Sequence, residues 1–548
     1  MRVTGGGVAG VAAMAAAAPA AAPAAAPAAT QRYKSAAAFA QDWPSILRNR
    51  TQAMPHRRPA HHHPLALLSC LLLAACSDER RDRDAASLTI GPCEDEPLLD
   101  CGVMDAPLVR DSTDARRILV DVVRLPATGD GPHATLMVNP GGPGSSGTDL
   151  VREAAERDAF PASLRARYDI VGFDPRGVGN SDRMDCADGV RDAFEEYPRD
   201  ETALQALMAD TEALAERCRI AHGDRLQWLG SNAVVQDMED LRLLLDAPSL
   251  NFIGYSYGTR LAALYLERFP ASAGRIVLDG SLLPDGELLP LVIGQVEAQQ
   301  RNLDRLFDAC GAELPGCDRA ALDAALSARL QRLFDQGELA TFAVFAELVV
   351  LAISEADIGE LLAPALIGFA LDGDPRPLVQ LAGQLGVIGD GDEGEGATGL
   401  TGDNDAVGMA VFCADDPARP TLAGLVDTLA DLESRSDLFA ESGAALVATC
   451  AGWPASLDPV GTIATTQAPA SLVIGGTNDW QTPLAFTQPM AAAIGAASLV
   501  SAHVGHTSVF NGDSDCVDQV VLAFLLDGTL PAQANCEVDD EADDEVQP

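Results

Sequence analysis

Residues 252–258 read Phe-Ile-Gly-Tyr-Ser-Tyr-Gly, and the reading of this stretch decides the fold. An apolar, strand-like run enters G-x-S-x-G, with Thr259 and an amphipathic segment behind it. In that setting the middle serine sits on a sharp strand-to-helix turn, a nucleophile elbow. The flanking glycines are required because a Cβ there would clash as the backbone folds back on itself. Such a turn holds the hydroxyl of Ser256 clear of the sheet, where a substrate carbonyl can reach it. Five residues recur by chance, so the weight rests on what surrounds them.

Short β-rich runs alternate with helical stretches on both sides of the elbow. The runs are 118–125, 135–139, 168–173, 250–255, 275–279, 471–474 and 498–504. Several are unbroken Val/Ile/Leu-type blocks, which suits strands buried on both faces. Helical segments such as 233–246 and 259–269 lie between them. The pattern predicts an α/β fold: a mostly parallel sheet with helices on both faces. The alternation stops between about 285 and 460, where Leu and Ala recur at helical spacing, as in 344–371. That region reads as a helical cap inserted into the sheet domain. The core then occupies 89–284 and 461–536.

A serine hydroxyl is a poor nucleophile until a base takes its proton. Beyond residue 76 there are four histidines, His133, His222, His503 and His506. In a fold built on a nucleophile elbow the histidine comes last in chain order, after the acid. That sets aside His133 and His222. His503 lies within the last strand run, whereas His506 follows Gly505 in the loop beyond it, where a base can face the elbow. The acid should follow the preceding strand, and Asp479 stands in the turn after 471–474. Asp513 and Asp515 are rivals, but they follow the histidine. Asn139-Pro140-Gly141-Gly142-Pro143-Gly144 closes the 135–139 run. Its glycines let backbone N–H groups approach a developing oxyanion, and the natural donors are Gly141 or Gly142 together with Tyr257. No G-x-x-x-x-G-K-S/T is present, which argues against a phosphate loop.

The motifs NPGGPGSSG (139–147), FDPRGVGNS (173–181), GYSYGT (254–259), VLDGS (277–281), GGTNDWQTP (475–483) and GHTS (505–508) occur in this order. Together they resemble the secreted tripeptidyl-aminopeptidase-like branch of the α/β-hydrolases, related to prolyl aminopeptidases. The resemblance covers roughly residues 90–536 and includes Cys413 in VFCADD and the cluster of Cys450, Trp453 and Pro454. It implies the α/β-hydrolase fold, with Ser256, Asp479 and His506 as nucleophile, acid and base. It also implies hydrolysis of peptides near a free N-terminus, with no cofactor and no metal. In such relatives the cap recognises the substrate amine, often through acidic side chains; Glu347 and Glu355 lie in the cap's apolar run. A carboxylesterase or lipase would use the same triad. A silent, peptide-binding lipoprotein is a remoter alternative, because all three triad candidates are present.

The ends of the chain speak to location. Residues 1–53 form a low-complexity leader, largely Ala, Gly and Pro. Residues 54–76 read as a signal peptide: Arg57 and Arg58, then LALLSCLLLAAC at 65–76. Its last four residues resemble a bacterial lipobox, which would make Cys76 a lipidated first residue, and the ordinary length of the signal counted from Met54 points to Met54 as the true start. A charged tether, 77–88, would follow. The expected location is therefore the cell envelope, held by a lipid anchor alone. Removal of the signal leaves 548 − 76 = 472 residues, ample for a large core.

The composition agrees. Against 80 acidic residues stand 37 basic ones, with Lys34 the sole lysine, so nucleic acid is excluded as a partner. The acidity concentrates in the loop 390–405 and the tail 537–548, both of which read as solvated; the loop shows no calcium-ligand spacing. Ten cysteines follow Cys76, an even number that suits an oxidising compartment. No paired C-x-x-C suggests a metal. Nearest-neighbour pairing predicts Cys93 with Cys101, Cys186 with Cys218, Cys310 with Cys317, Cys413 with Cys450, and Cys516 with Cys536.

Overall fold

The computed structural model describes residues 85–537, except 111, 187–196, 309, 314–316, 388–402, 456, 466 and 532–534. The leader, the signal segment with Cys76, most of the tether, most of the acidic loop and all but the first residue of the tail lie outside the described residues.

A ten-stranded sheet forms the centre, in the order β1-β2-β3-β5-β4-β6-β7-β8-β9-β10. The strands are β1 (Ser87–Pro92), β2 (Asp100–Pro107), β3 (Arg117–Leu125), β4 (Ala134–Asn139), β5 (Tyr168–Phe173), β6 (Leu250–Tyr255), β7 (Ala273–Asp279), β8 (Ser471–Asn478), β9 (Ala497–Val504) and β10 (Asn535–Cys536). From β5 through β4 to β10 every pair is parallel, while β1, β2, β3 and β5 pair antiparallel. Every residue of β6 except Tyr255 is buried, as a central parallel strand covered on both faces requires. Seven strands fall where the apolar runs predict them. β1, β2 and β10 go unread, because Gly and Pro interrupt the first two and the last is two residues long. β1 also begins inside the stretch expected to be a tether.

Helices cover both faces. The elbow helix, Gly258–Arg268, packs under β6 and β7, beside the helix Ser231–Leu244. Between β7 and β8 the chain is helical, from Leu288–Asp308 to Ala440–Ala448. The long Leu/Ala run is two helices rather than one. Leu339–Ser354 and Ala356–Asp372 are broken at Glu355, whose extended backbone (φ −141°, ψ 134°) turns the chain. Phe342, Phe345, Leu348, Leu362 and Leu366 are buried in this layer, so apolar packing holds it. No helix among the described residues is long and apolar enough to cross a membrane.

Four disulfides join Cys93 to Cys101, Cys186 to Cys218, Cys310 to Cys317 and Cys516 to Cys536. The expected Cys413–Cys450 bridge is not formed: both residues are buried thiols. Burial pushes both thiols well above their usual range, and Cys450 adds to the rise at Cys413.

Candidate active site

Parallel register brings the chemistry to one rim of the sheet. Asn139 pairs with Gly254, Tyr255 with Asp279, and Asp279 with Ile474. The loops that follow these positions leave the sheet at the same level, as expected for ligand sites beyond the carboxyl ends of parallel strands.

Ser256 occupies the turn between β6 and the elbow helix with φ +53°, a left-handed conformation rare for serine. Its N–H donates to the Asp279 carbonyl at 2.9 Å, which fixes the turn to β7. A Cβ on Gly254 would stand 2.3 Å from the Gly258 carbonyl oxygen, so the tight return needs glycine there. The side of the turn facing the glycine loop is equally crowded. A Cβ on Gly141 would stand 2.9 Å from Ser256 Cβ and 3.1 Å from the Tyr257 nitrogen. Absence of a side chain at Gly141 therefore leaves the Tyr257 N–H approachable.

The two glycines do not have the same part. Gly141 N–H donates to Asn139 Oδ1 at 3.1 Å, so its hydrogen is already used. Gly142 is the better candidate donor of the pair, a distinction that sequence reasoning left open. Asp174, from the FDPRG motif, supports this loop: its Oδ1 accepts from Ser146 Oγ at 2.7 Å and from Thr148 N–H at 3.1 Å.

Asp479 follows β8 and is 2 % exposed. Its Oδ1 accepts the N–H groups of Gln481 and Thr482 at 2.9 and 2.8 Å. Its Oδ2 accepts the Thr482 hydroxyl at 2.7 Å and faces His506 Nδ1 at 2.9 Å. Burial works against the charged carboxylate, but the facing His506 and the Thr482 donors outweigh it and hold Asp479 below the ordinary aspartate range. Thr482 Oγ1 also lies 3.2 Å from His506 Nδ1, a contact the sequence pattern did not disclose.

His506 stands next to the elbow. Its Cε1 lies 3.2 Å from where a Cβ on Gly280 would be, and Gly280 follows the residue that binds the Ser256 N–H. His506 Nε2 is buried without a hydrogen-bond partner, and no bond from Ser256 Oγ to it is formed. Free enzymes commonly close this bond only when substrate binds. The rival His503 turns its Nδ1 to Ser501 Oγ at 3.0 Å instead of to a carboxylate. Asp515 sits in the first turn of the helix Asp515–Asp527, after the histidine.

Asp279, at the end of β7, anchors the histidine loop. Its Oδ2 accepts the N–H groups of Ser508 and Val509 at 2.7 and 2.8 Å. Burial pushes it up to about 6, against these donors and the nearby His503 and His506. One residue thus holds the elbow by its carbonyl and the base loop by its carboxylate.

The cap reaches the site at Ser354. Trp480 Nε1 donates to Ser354 Oγ at 3.0 Å, and the Ser354 carbonyl oxygen would be 2.9 Å from a Cβ on Gly505. Glu347 lies two turns earlier on the same helix face. Burial alone pushes its carboxyl up to about 7, and no cation pairs with it among the described residues. Glu355 is the break between the two cap helices. A cavity of about 130 Å³ at the start of the helix Ser231–Leu244 is lined by Arg110, Trp228 and Asn232 and contains none of these residues.

Comparison with known proteins agrees with this architecture. Residues 134–344 match the family model described as alpha/beta hydrolase fold, and residues 436–536 match the TAP-like protein model. Serine protease Hip1 of Mycobacterium tuberculosis is 27 % identical over 457 residues, 79 % of this chain and 86 % of that protein. Carboxylesterase B of the same species is 31 % identical, covering 79 % and 85 %. Tripeptidyl aminopeptidase of Streptomyces lividans is 31 % identical over 192 residues, 34 % of this chain and 36 % of that protein. The chain is a serine hydrolase and belongs to the TAP-like family of α/β-hydrolases.

Proposed function

We propose that this protein is an exported serine aminopeptidase that releases short N-terminal peptides, of di- or tripeptidyl or prolyl type, through an acyl-enzyme. The observation that carries the reading is the 2.9 Å contact of His506 Nδ1 with Asp479 Oδ2, with Nε2 buried and partnerless beside the elbow. Ser256 Oγ attacks the scissile carbonyl carbon while its proton passes to His506 Nε2. Asp479 fixes the ring tautomer and stabilises the imidazolium. The oxyanion accepts the N–H groups of Gly142 and Tyr257, beside the positive end of the elbow helix. His506 then protonates the leaving amine, the C–N bond breaks, and the acyl group stays on Ser256. Water, deprotonated by His506, cleaves the ester; the short peptide leaves and Ser256 recovers its proton.

Peptide as substrate class is supported by the relatives named serine protease and tripeptidyl aminopeptidase. Recognition of a free N-terminus is assigned to Glu347, a carboxyl on the cap face that ends at the histidine loop and, among the described residues, has no cation of its own. An incoming ammonium would supply that cation. Export rests on the segment 65–76 and agrees with the four disulfides, with lipid at Cys76 as the tether. The 31 % identity to a protein named carboxylesterase keeps ester hydrolysis by the same triad as a second reading.

Purified protein offered Ala-Ala-Pro-type chromogenic peptides with free and blocked N-termini, beside short acyl esters, separates these readings. Cleavage of free peptides well above blocked ones is expected. Equal cleavage of both sinks the aminopeptidase reading, and ester turnover alone favours the esterase. Ser256→Ala should abolish every activity; undiminished turnover would overturn the site.

A further inference from the structure

Asp415 ends the cap helix Asp403–Asp415, yet its carboxylate serves the sheet domain. Its Oδ1 accepts the backbone N–H of Ser231 at 2.8 Å. Its Oδ2 accepts the Ser231 hydroxyl and lies 3.3 Å from Arg260 Nη1. Ser231 Oγ in turn is 2.5 Å from the Tyr257 hydroxyl. Ser231 opens the helix Ser231–Leu244, Tyr257 follows the nucleophile, and Arg260 is one turn further along the elbow helix. None of the four residues is more than 2 % exposed. Phe412, one turn before Asp415, packs edge-on to the Tyr257 ring at 5.9 Å and under the Arg260 guanidinium at 5.6 Å.

A fully buried ion pair is a poor way to gain stability, since apolar residues of equal volume commonly do as well or better. What this one supplies is position. Tyr257 has two ends: a backbone N–H at the mouth of the site and a hydroxyl buried within the cluster. The cluster fixes the hydroxyl end, and three of its members come from separate chain segments: the cap, the start of the helix Ser231–Leu244, and the elbow helix.

We propose that Asp415 is a positioning residue for the oxyanion donor: through Ser231 and the Tyr257 hydroxyl it forms a strut that makes transition-state stabilisation depend on seating of the cap. The proposal rests on the assignment of Ser256 as nucleophile and of Tyr257 N–H as donor. It concerns the chemical step and not the binding of substrate. Loss of the strut should therefore lower kcat and leave KM nearly unchanged, because the oxyanion exists only in the transition state.

Tyr257→Phe keeps the ring and removes only the hydroxyl end of the strut. It should lower kcat about tenfold with KM within about twofold, a fraction of the loss expected for deleting a donor outright. Asp415→Asn should cost about a hundredfold in kcat. The double variant should be no slower than Asp415→Asn alone, as expected for groups that act as one unit. All are measured on variants that give a native circular-dichroism spectrum; if Asp415→Asn does not fold, Tyr257→Phe decides. Wild-type kcat in Tyr257→Phe, a loss confined to KM, or additive losses in the double variant overturns the strut. Ser256→Ala is measured alongside. Activity retained there overturns the nucleophile assignment and the strut together, whereas activity lost there with Tyr257→Phe at wild-type rate overturns the strut alone.

Discussion

Asp479, at the rim of the sheet, takes four hydrogen bonds, three of them from residues two and three places along the chain. Glu347, on the helix Leu339–Ser354, is half-buried in an apolar layer, and among the described residues no cation pairs with it. The two carboxyls are pushed in opposite directions, Asp479 below its ordinary range and Glu347 above it. The rim is a polar site in which the Asp479 carboxylate is locked by its own loop before any ligand arrives. The cap is an apolar layer, held by residues such as Leu362 and Phe345, and under the proposed function its Glu347 carboxyl is satisfied by the substrate amine. Rate should therefore be set at the rim, and affinity and selectivity in the cap.

That division can be broken by measurement. The largest effect is expected at the rim. Asp479→Asn leaves the shape intact but no longer fixes the tautomer, and kcat should fall by about 10⁴-fold with little change in melting temperature. A loss of stability without loss of rate would show the rim to be scaffold. In the cap the opposite pattern is expected. Leu362→Ala, at a fully buried position, should cost about 2–5 kcal/mol in chemical denaturation. Its kcat, measured where the variant is folded, should stay within a few-fold of wild type.

Smaller effects sharpen the contrast. Glu347→Gln should raise KM for peptides with a free N-terminus about tenfold, the loss of one buried ion-pair contact, and leave blocked peptides unaffected. In the wild type the same KM should rise as pH falls below about 7, because the protonated carboxyl cannot pair with an ammonium. The smallest effect is on stability. Glu347 has a folded value raised to about 7 from 4.5, so the folded state holds its proton more tightly than the unfolded chain. Its favourable contribution is complete below about 4.5 and is lost as pH rises through about 7. Unfolding curves of wild type and Glu347→Gln should thus coincide near pH 4.5 and diverge by pH 8, with the variant the more stable.

The same contrast explains what could be read from the sequence. Ser256, Asp479 and His506 could be singled out as candidates because each belongs to a strand end with its own glycine-bearing turn, and chain order ranks the alternatives. Strands β4 to β8 were legible as blocks of buried apolar residues, and β3 and β9 as Val- and Leu-bearing runs that bury roughly alternate residues. β1 and β2 pair at the antiparallel edge with Gly91, Gly102 and the prolines Pro92 and Pro107 among their residues, and the alternation in β1 lasts only from Ser87 to Ile90, too short to stand out. Within the site, the hydrogen bond that occupies Gly141 depends on how Asn139 turns, which no motif encodes. Asp279, Thr482 and Asp415 were missed as supports for a different reason. Each acts on residues brought close by folding, across separations as large as 230 positions for Asp279 and Val509. The Glu355 break in the cap is likewise a matter of tertiary packing, since Leu and Ala continue on either side.

β10 is two residues long and pairs with β9 only at Val500 and Ser501, yet it ends the parallel sheet. Cys536, its last residue, is bonded to Cys516 on the following side of the histidine loop. Loss of that bond would free β10 and open β9 at Val500 and Ser501 as well, lengthening the edge that β9 offers another chain. Such an edge is a template for another chain, so in a reducing compartment this protein should self-associate edge to edge before it unfolds. The cysteine pair nearest the C-terminus then matters less for rigidity than for keeping one molecule from recruiting the next, and production of soluble protein should depend on an oxidising route.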